Sequence, residues 1–172
     1  MRNLFLFCIA TVFISCQKES VNYRHEILLN NKLDIELLKN SRTPEKALIL
    51  GYLFVYGNEC SGNSDKIKCT MLDALNIENE CNNSNIDFLK QWFKKEIIVL
   101  LKLQKCPVLP VKFAIQNKIK KLVVERVQDT ISITIKVKGM NTSQEKYWDI
   151  EQTESFLIEN NTFIKIKQNG RN

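Results

Sequence analysis

From Ala47 to Tyr56 the chain reads ALILGYLFVY, apolar on every side, which marks a helix buried all round. Thr43-Pro44-Glu45 ahead of it supplies an N-cap, a proline at the first helical position and a first-turn acid, and Gly57-Asn58 closes it. A helix capped by Thr43, starting at Pro44 and running to about Tyr56, is therefore expected at the centre of the core. Before it, Ile27, Leu28, Leu29, Leu33, Ile35, Leu37 and Leu38 recur at loosely helical spacing and predict a helix from His25 to Leu38. After it, Ile67, Met71, Ala74 and Leu75 fall on one side of a helix from Asp65 to Leu75. Ser84-Asn85-Ile86-Asp87 has the S-x-x-D capping pattern. The apolar positions behind it (Ile86, Leu89, Phe93, Ile97, Leu100) predict one long helix to Lys105, where Cys106-Pro107 stops it.

Beyond Pro110 the period changes to two. Ile131, Ile133, Ile135 and Val137 alternate with Ser132, Thr134, Lys136 and Lys138, a half-buried strand. A strand from Ile119 to Val127 precedes it across a Gln128-Asp129 turn, and Gly139-Met140-Asn141 breaks the run. Lys146 to Glu154, Phe156 to Glu159 and Thr162 to Lys167 read as further strands, with Asn160-Asn161 as a tight turn. The fold class is α+β: three or four N-terminal helices packed on a C-terminal antiparallel β-meander. This order resembles the nuclear-transport-factor-type and cystatin-type folds, in which a curved sheet wraps a long helix. The likeness is architectural and implies no activity.

The first residues are an address. Met1-Arg2-Asn3 is a short positive start, and Leu4 to Ile14 is an apolar run that suits a signal-peptide core and falls short of the ~20 residues of a membrane-spanning helix. Phe13-Ile14-Ser15-Cys16 follows, then Gln17-Lys18-Glu19-Ser20. Ile-Ser-Cys after an apolar core resembles the lipobox of bacterial lipoproteins, although that family prefers Leu where Phe13 stands. The continuation resembles exported lipoproteins of the Bacteroidota, in which a Lys and acidic residues near the lipid favour the outer face. The resemblance implies lipid on Cys16, a membrane as first partner and a cell-envelope location, most naturally the outer membrane. The expected organisation is a signal peptide over 1–15, a lipidated tether over 16–24 and a single domain over 25–172.

Cys8 leaves with the signal, and Cys60, Cys69, Cys81 and Cys106 remain beside the anchor. An even number in an exported chain argues for two disulfides. Their spacing offers no C-x-x-C pair for a metal, and the sole histidine, His25, leaves a catalytic thiol without an obvious base. With a long helix spanning ~30 Å between Cys81 and Cys106, the favoured pairing is Cys60–Cys106 with Cys69–Cys81. The competing pairing, Cys60–Cys69 with Cys81–Cys106, requires that helix to break near Lys94-Lys95 and the chain from Glu96 to turn back as a strand.

Composition narrows the chemistry. The 172 residues make one domain, 44% hydrophobic and 26% charged as in a folded globular chain. Five Gly and three Pro leave no flexible linker and no phosphate-cradling loop. Lys, Asn and Ile form a third of the chain, so much of the net charge of +6 is background. Between Phe88 and Arg126 ten basic residues face two acids, a stripe without the interleaved aromatic residues that nucleic acid requires. No cofactor is expected.

Tyr147, Asp149 and Glu151 share one face of a strand, opposite Trp148 and Ile150, and the two carboxylates could form an acid–base pair. A solvated strand face explains the same pattern. Asp129-Thr130-Ile131 resembles the O-glycosylation sequon of Bacteroidota exported proteins, making Thr130 a candidate acceptor. Two functions follow. The favoured one is a non-catalytic envelope lipoprotein binding a protein or glycan partner, immunity-type neutralisation of a toxin included. The alternative is a ligand-binding or hydrolytic domain with a pocket between sheet and long helix. A deep cavity lined by Asp149, Glu151 or Tyr147 would favour the second, and a filled core with a flat charged face the first.

Overall fold

The computed structural model describes residues 22–57, 66–77, 81–104 and 115–171. Along the chain run β1 (Asn22–Leu29), β2 (Lys32–Leu33), α1 (Ile35–Lys39), α2 (Thr43–Tyr56), α3 (Lys66–Ala74), α4 (Asn83–Trp92) and α5 (Ile97–Leu103). Then come β3 (Ile115–Val127), β4 (Thr130–Asn141), β5 (Lys146–Glu159) and β6 (Thr162–Arg171). All strands join one antiparallel sheet in the order β2-β1-β3-β4-β5-β6. The fold is α+β, with five helices among the described residues rather than three or four.

The helix expected from His25 to Leu38 is instead a hairpin and a short helix. Asn30 and Asn31 both adopt left-handed backbone (φ 51° and 63°), the geometry of a two-residue hairpin turn, and Leu28 pairs with Leu33. Asp34 then caps α1 by accepting from the Leu37 N–H at 3.0 Å. Because Asn22, Tyr23 and Arg24 pair with Val127, Arg126 and Glu125, residues read as tether belong to the sheet.

α2 lies where its apolar run demands. Ala47, Leu48, Ile49, Leu50 and Leu53 have no exposed surface, and the helix packs on β3 and β4. Ile131, Ile133, Ile135 and Val137 meet it from β4, while the alternate residues face the other side of the sheet. The Asn160-Asn161 turn forms as expected, both residues left-handed (φ 48° and 56°). β5 runs unbroken where two strands were expected: its pairing with β4 is continuous through Ser155 and Phe156, and the extra residue of the β5–β6 irregularity, Ile166, belongs to β6.

The expected long helix breaks. α4 ends at Trp92, α5 begins at Ile97, and both pack on α2. Between them Phe93 is wholly buried, 5.0 Å from Phe163 and 6.5 Å from Phe156 between ring centroids. Sending that ring into the aromatic cluster while keeping Val99 and Leu103 against the core requires the bend. No described helix is long and apolar enough to cross a membrane.

Candidate functional site

The sheet has a helix-covered face and an outer face, and cross-strand partners share a face. Gln152, Glu154 and Phe156 of β5 are buried under the helices. Tyr147, Asp149 and Glu151 therefore project from the outer face, as their shared parity predicted, with Tyr147 78% exposed.

There the two carboxylates enter a ladder of ion pairs. Lys121 Nζ lies 2.7 Å from Glu151 Oε1, and Lys136 Nζ sits 3.7 Å from Glu151 Oε2 and 3.5 Å from Asp149 Oδ1. Lys138 Nζ completes it, 3.1 Å from Asp149 Oδ2. The hydrogen bond from Lys138 holds Asp149 below its ordinary value, helped by the charges of Lys136 and Lys138. The hydrogen bond from Lys121 does the same for Glu151. A general acid needs the opposite shift, toward the working pH. This geometry suits two carboxylates that stay ionised at neutral pH, each neutralised by flanking lysines.

A second polar group, which the sequence reading missed, lies inside the fold. Glu154 is only 4% exposed, yet Tyr52 of α2 donates its phenol to Oε2, and Lys165 Nζ of β6 stands 2.8 Å from the same oxygen. Gln152 Nε2 donates to Glu154 Oε1 at 3.1 Å and also to the Tyr56 hydroxyl. Burial, then the Glu154 charge, push Tyr52 well above ordinary phenol behaviour and raise Tyr56 as well, against the opposing hydrogen bond from Gln152, so both stay protonated at physiological pH. Burial raises Glu96 nearby, an effect opposed by Lys165 and reinforced by Glu154. A signal was available: Gln152 and Glu154 share parity with Trp148, Ile150 and Phe156, the apolar side of the strand.

Tyr52, Tyr56, Phe93, Glu96, Glu154 and Phe156 border a cleft of about 20 Å³. That is room for about one water, whereas sites for small organic ligands run to about 300 Å³ or more. Asp149, Glu151 and Tyr147 are absent from its lining.

His25 belongs to β1. Its Nδ1 is 3.8 Å from Oε2 of buried Glu45, which also accepts from the Arg42 N–H at 3.1 Å, and Tyr23 stacks on its ring at 4.4 Å. This contact ties β1 to the start of α2. Cys69 on α3 and Cys81 before α4 are half-buried, and each takes part in a disulfide. Cys16, Cys60 and Cys106 lie outside the described residues. Thr130 is the first residue of β4, half-buried behind the Gln128-Asp129 turn.

The expected basic stripe does not stay together. Lys90, Lys94 and Lys95 are exposed on and just after α4, whereas Lys118 and Lys121 belong to β3, paired with Lys138 and Lys136 of β4. Lys105 and Lys112 lie outside the described residues.

Comparison with known protein families, with curated proteins and with solved structures finds no match to this chain.

Proposed function

We propose that this protein is a non-catalytic lipoprotein of the bacterial cell envelope, held by lipid on Cys16, whose domain binds a protein or glycan partner. The ion-pair ladder on the outer face is the observation that carries the reading. The two carboxylates best placed by sequence for acid–base chemistry are spent on Lys121, Lys136 and Lys138. They stand on an open face rather than in a cleft, and the cleft beside Glu154 supports the ligand-binding alternative weakly at about 20 Å³. The lipobox-like Ile14-Ser15-Cys16 supports the envelope location, with the outer membrane as the expected site. More than one acyl chain is needed for stable anchoring, so the lipid on Cys16 is a multiply acylated glyceride.

Fractionation and mass measurement test the proposal. The mature protein should weigh more than residues 16–172 by that glyceride, and Cys16→Ala should leave the membrane fraction. Membrane retention of the alanine variant would overturn the lipoprotein reading. A hydrolytic activity that falls by about three orders of magnitude in Asp149→Asn or Glu151→Gln would overturn the non-catalytic one.

A further inference from the structure

Across the β3–β4 ladder Lys118 stands opposite Lys138, and Lys121 stands opposite Lys136. Directly opposed like charges destabilise a sheet, so two such pairs in succession are an arrangement that stability alone disfavours. β5 supplies Asp149 opposite Lys138 and Glu151 opposite Lys136, and the ion pairs already described occupy both carboxylates. Four cations against two carboxylates leave a surplus of positive charge, and Lys118 is exposed with no ion pair among the described residues.

The next row of the same face pairs Met140 with Tyr147, whose ring is 78% exposed. Beyond Lys136 the face continues in hydroxyls: Thr134 and Thr153 lie 2.8 Å apart, as do Ser132 and Ser155. This face thus offers surplus ammonium groups, an exposed tyrosine and a row of hydroxyl donors and acceptors. Nucleic acid calls for several stacking rings, and a bilayer for apolar side chains that insert past the headgroups. An acidic sugar chain matches what is present.

We infer that the outer sheet face around Tyr147, Lys118 and Lys138 binds an acidic polysaccharide. Its carboxylate or sulfate groups meet the surplus lysine charge, and the C–H face of one sugar lies on the Tyr147 ring. The inference rests on the reading of a non-catalytic binding domain and names the chemistry of its partner.

The test is titration of the full chain with a heparin-derived oligosaccharide and with neutral dextran, and of its Cys16→Ala variant, which has no lipid anchor, with the same oligosaccharide and with phosphatidylglycerol vesicles. The oligosaccharide should bind and dextran should not. Binding should vanish at about 0.5 M salt, where charges are screened beyond roughly 4 Å. The pair Lys118→Gln with Lys138→Gln should weaken it about tenfold or more, and Tyr147→Ala about fivefold. Lys94→Gln with Lys95→Gln removes equal charge elsewhere and should leave affinity within about twofold. Unchanged circular dichroism and melting of each variant establish that it is folded. Three results would overturn the inference: no oligosaccharide binding, equal losses in the Lys94/Lys95 variant, or tighter binding to the vesicles than to the oligosaccharide. Absence of glycan binding by a chain that still carries lipid on Cys16 removes this inference and leaves the envelope reading standing. Membrane retention of Cys16→Ala removes that reading and leaves the glycan titration untouched.

Discussion

The ring of Phe93 stands 2.6 Å from the position a β-carbon on Gly51 would occupy. Gly51 lies in the middle of α2, where glycine costs about 1 kcal/mol relative to alanine by helix propensity. The residue keeps its place because Phe93 closes over it and joins Phe156 and Phe163 in the core. Gly51→Ala should therefore lower stability by about 1–3 kcal/mol through overpacking, against the sign that propensity alone predicts. Urea denaturation checks it, and a higher midpoint for the alanine variant would show that Phe93 yields without loss.

Glu154 depends on three donors from three elements: Tyr52, Gln152 and Lys165. Lys165 is the only cation among them, and its side chain is 24% exposed against 6% for Glu154. Lys165→Met leaves a buried carboxylate held by neutral groups and should cost about 2–4 kcal/mol, allowing for partial exposure. Adding Glu154→Gln should recover part of that loss. A double-mutant cycle measures the coupling, expected at about 1 kcal/mol or more. Strictly additive losses would mean the pair is screened by solvent.

The carboxylates predict opposite limbs of a pH profile. Asp149 and Glu151 are lowered from 3.8 and 4.5 by their lysine partners, so their contribution is present at neutral pH and lost as pH falls through the carboxylate range. Glu96 is raised from 4.5 by burial, so it favours the fold while protonated, and that contribution is lost as pH rises through its folded-state value. Asp149→Asn with Glu151→Gln should flatten the acid limb of the urea midpoint. Glu96→Gln should raise the midpoint at neutral pH. An unchanged acid limb in the double variant would show that the ladder does not form in solution.

The break between α4 and α5 reopens the disulfide pairing. Cys60–Cys106 with Cys69–Cys81 was favoured because a straight helix would hold Cys81 and Cys106 ~30 Å apart. That helix bends at Phe93, and both halves pack on α2. With that separation removed, the competing pairing, Cys60–Cys69 with Cys81–Cys106, is the one now expected, although the chain after Glu96 continues as helix α5 and not as the strand foreseen with that pairing. Peptide mapping without reduction should yield a peptide linking Cys81 to Cys106, and a Cys60–Cys106 peptide would refute it.

The sequence alone determined α2, the alternation of β4 and the Asn160-Asn161 turn, because each depends on residues within about one or two turns of each other. The same local chemistry was present at Asn30-Asn31, where the density of leucines around it masked the hairpin. The outward projection of Asp149 and Glu151 was legible in their parity. Their ion pairing was not, since it depends on the β3–β4–β5 register, which sets Lys136 opposite Glu151 and Lys138 opposite Asp149. The helix break was hidden for a similar reason: 94–96 carries no glycine or proline, and the bend answers to Phe156 and Phe163, far along the chain. The Tyr52–Glu154–Lys165 cluster likewise exists only once α2, β5 and β6 are packed together. Burial of a charge among partners from distant segments is a property of that packing, and local pattern carries none of its energy.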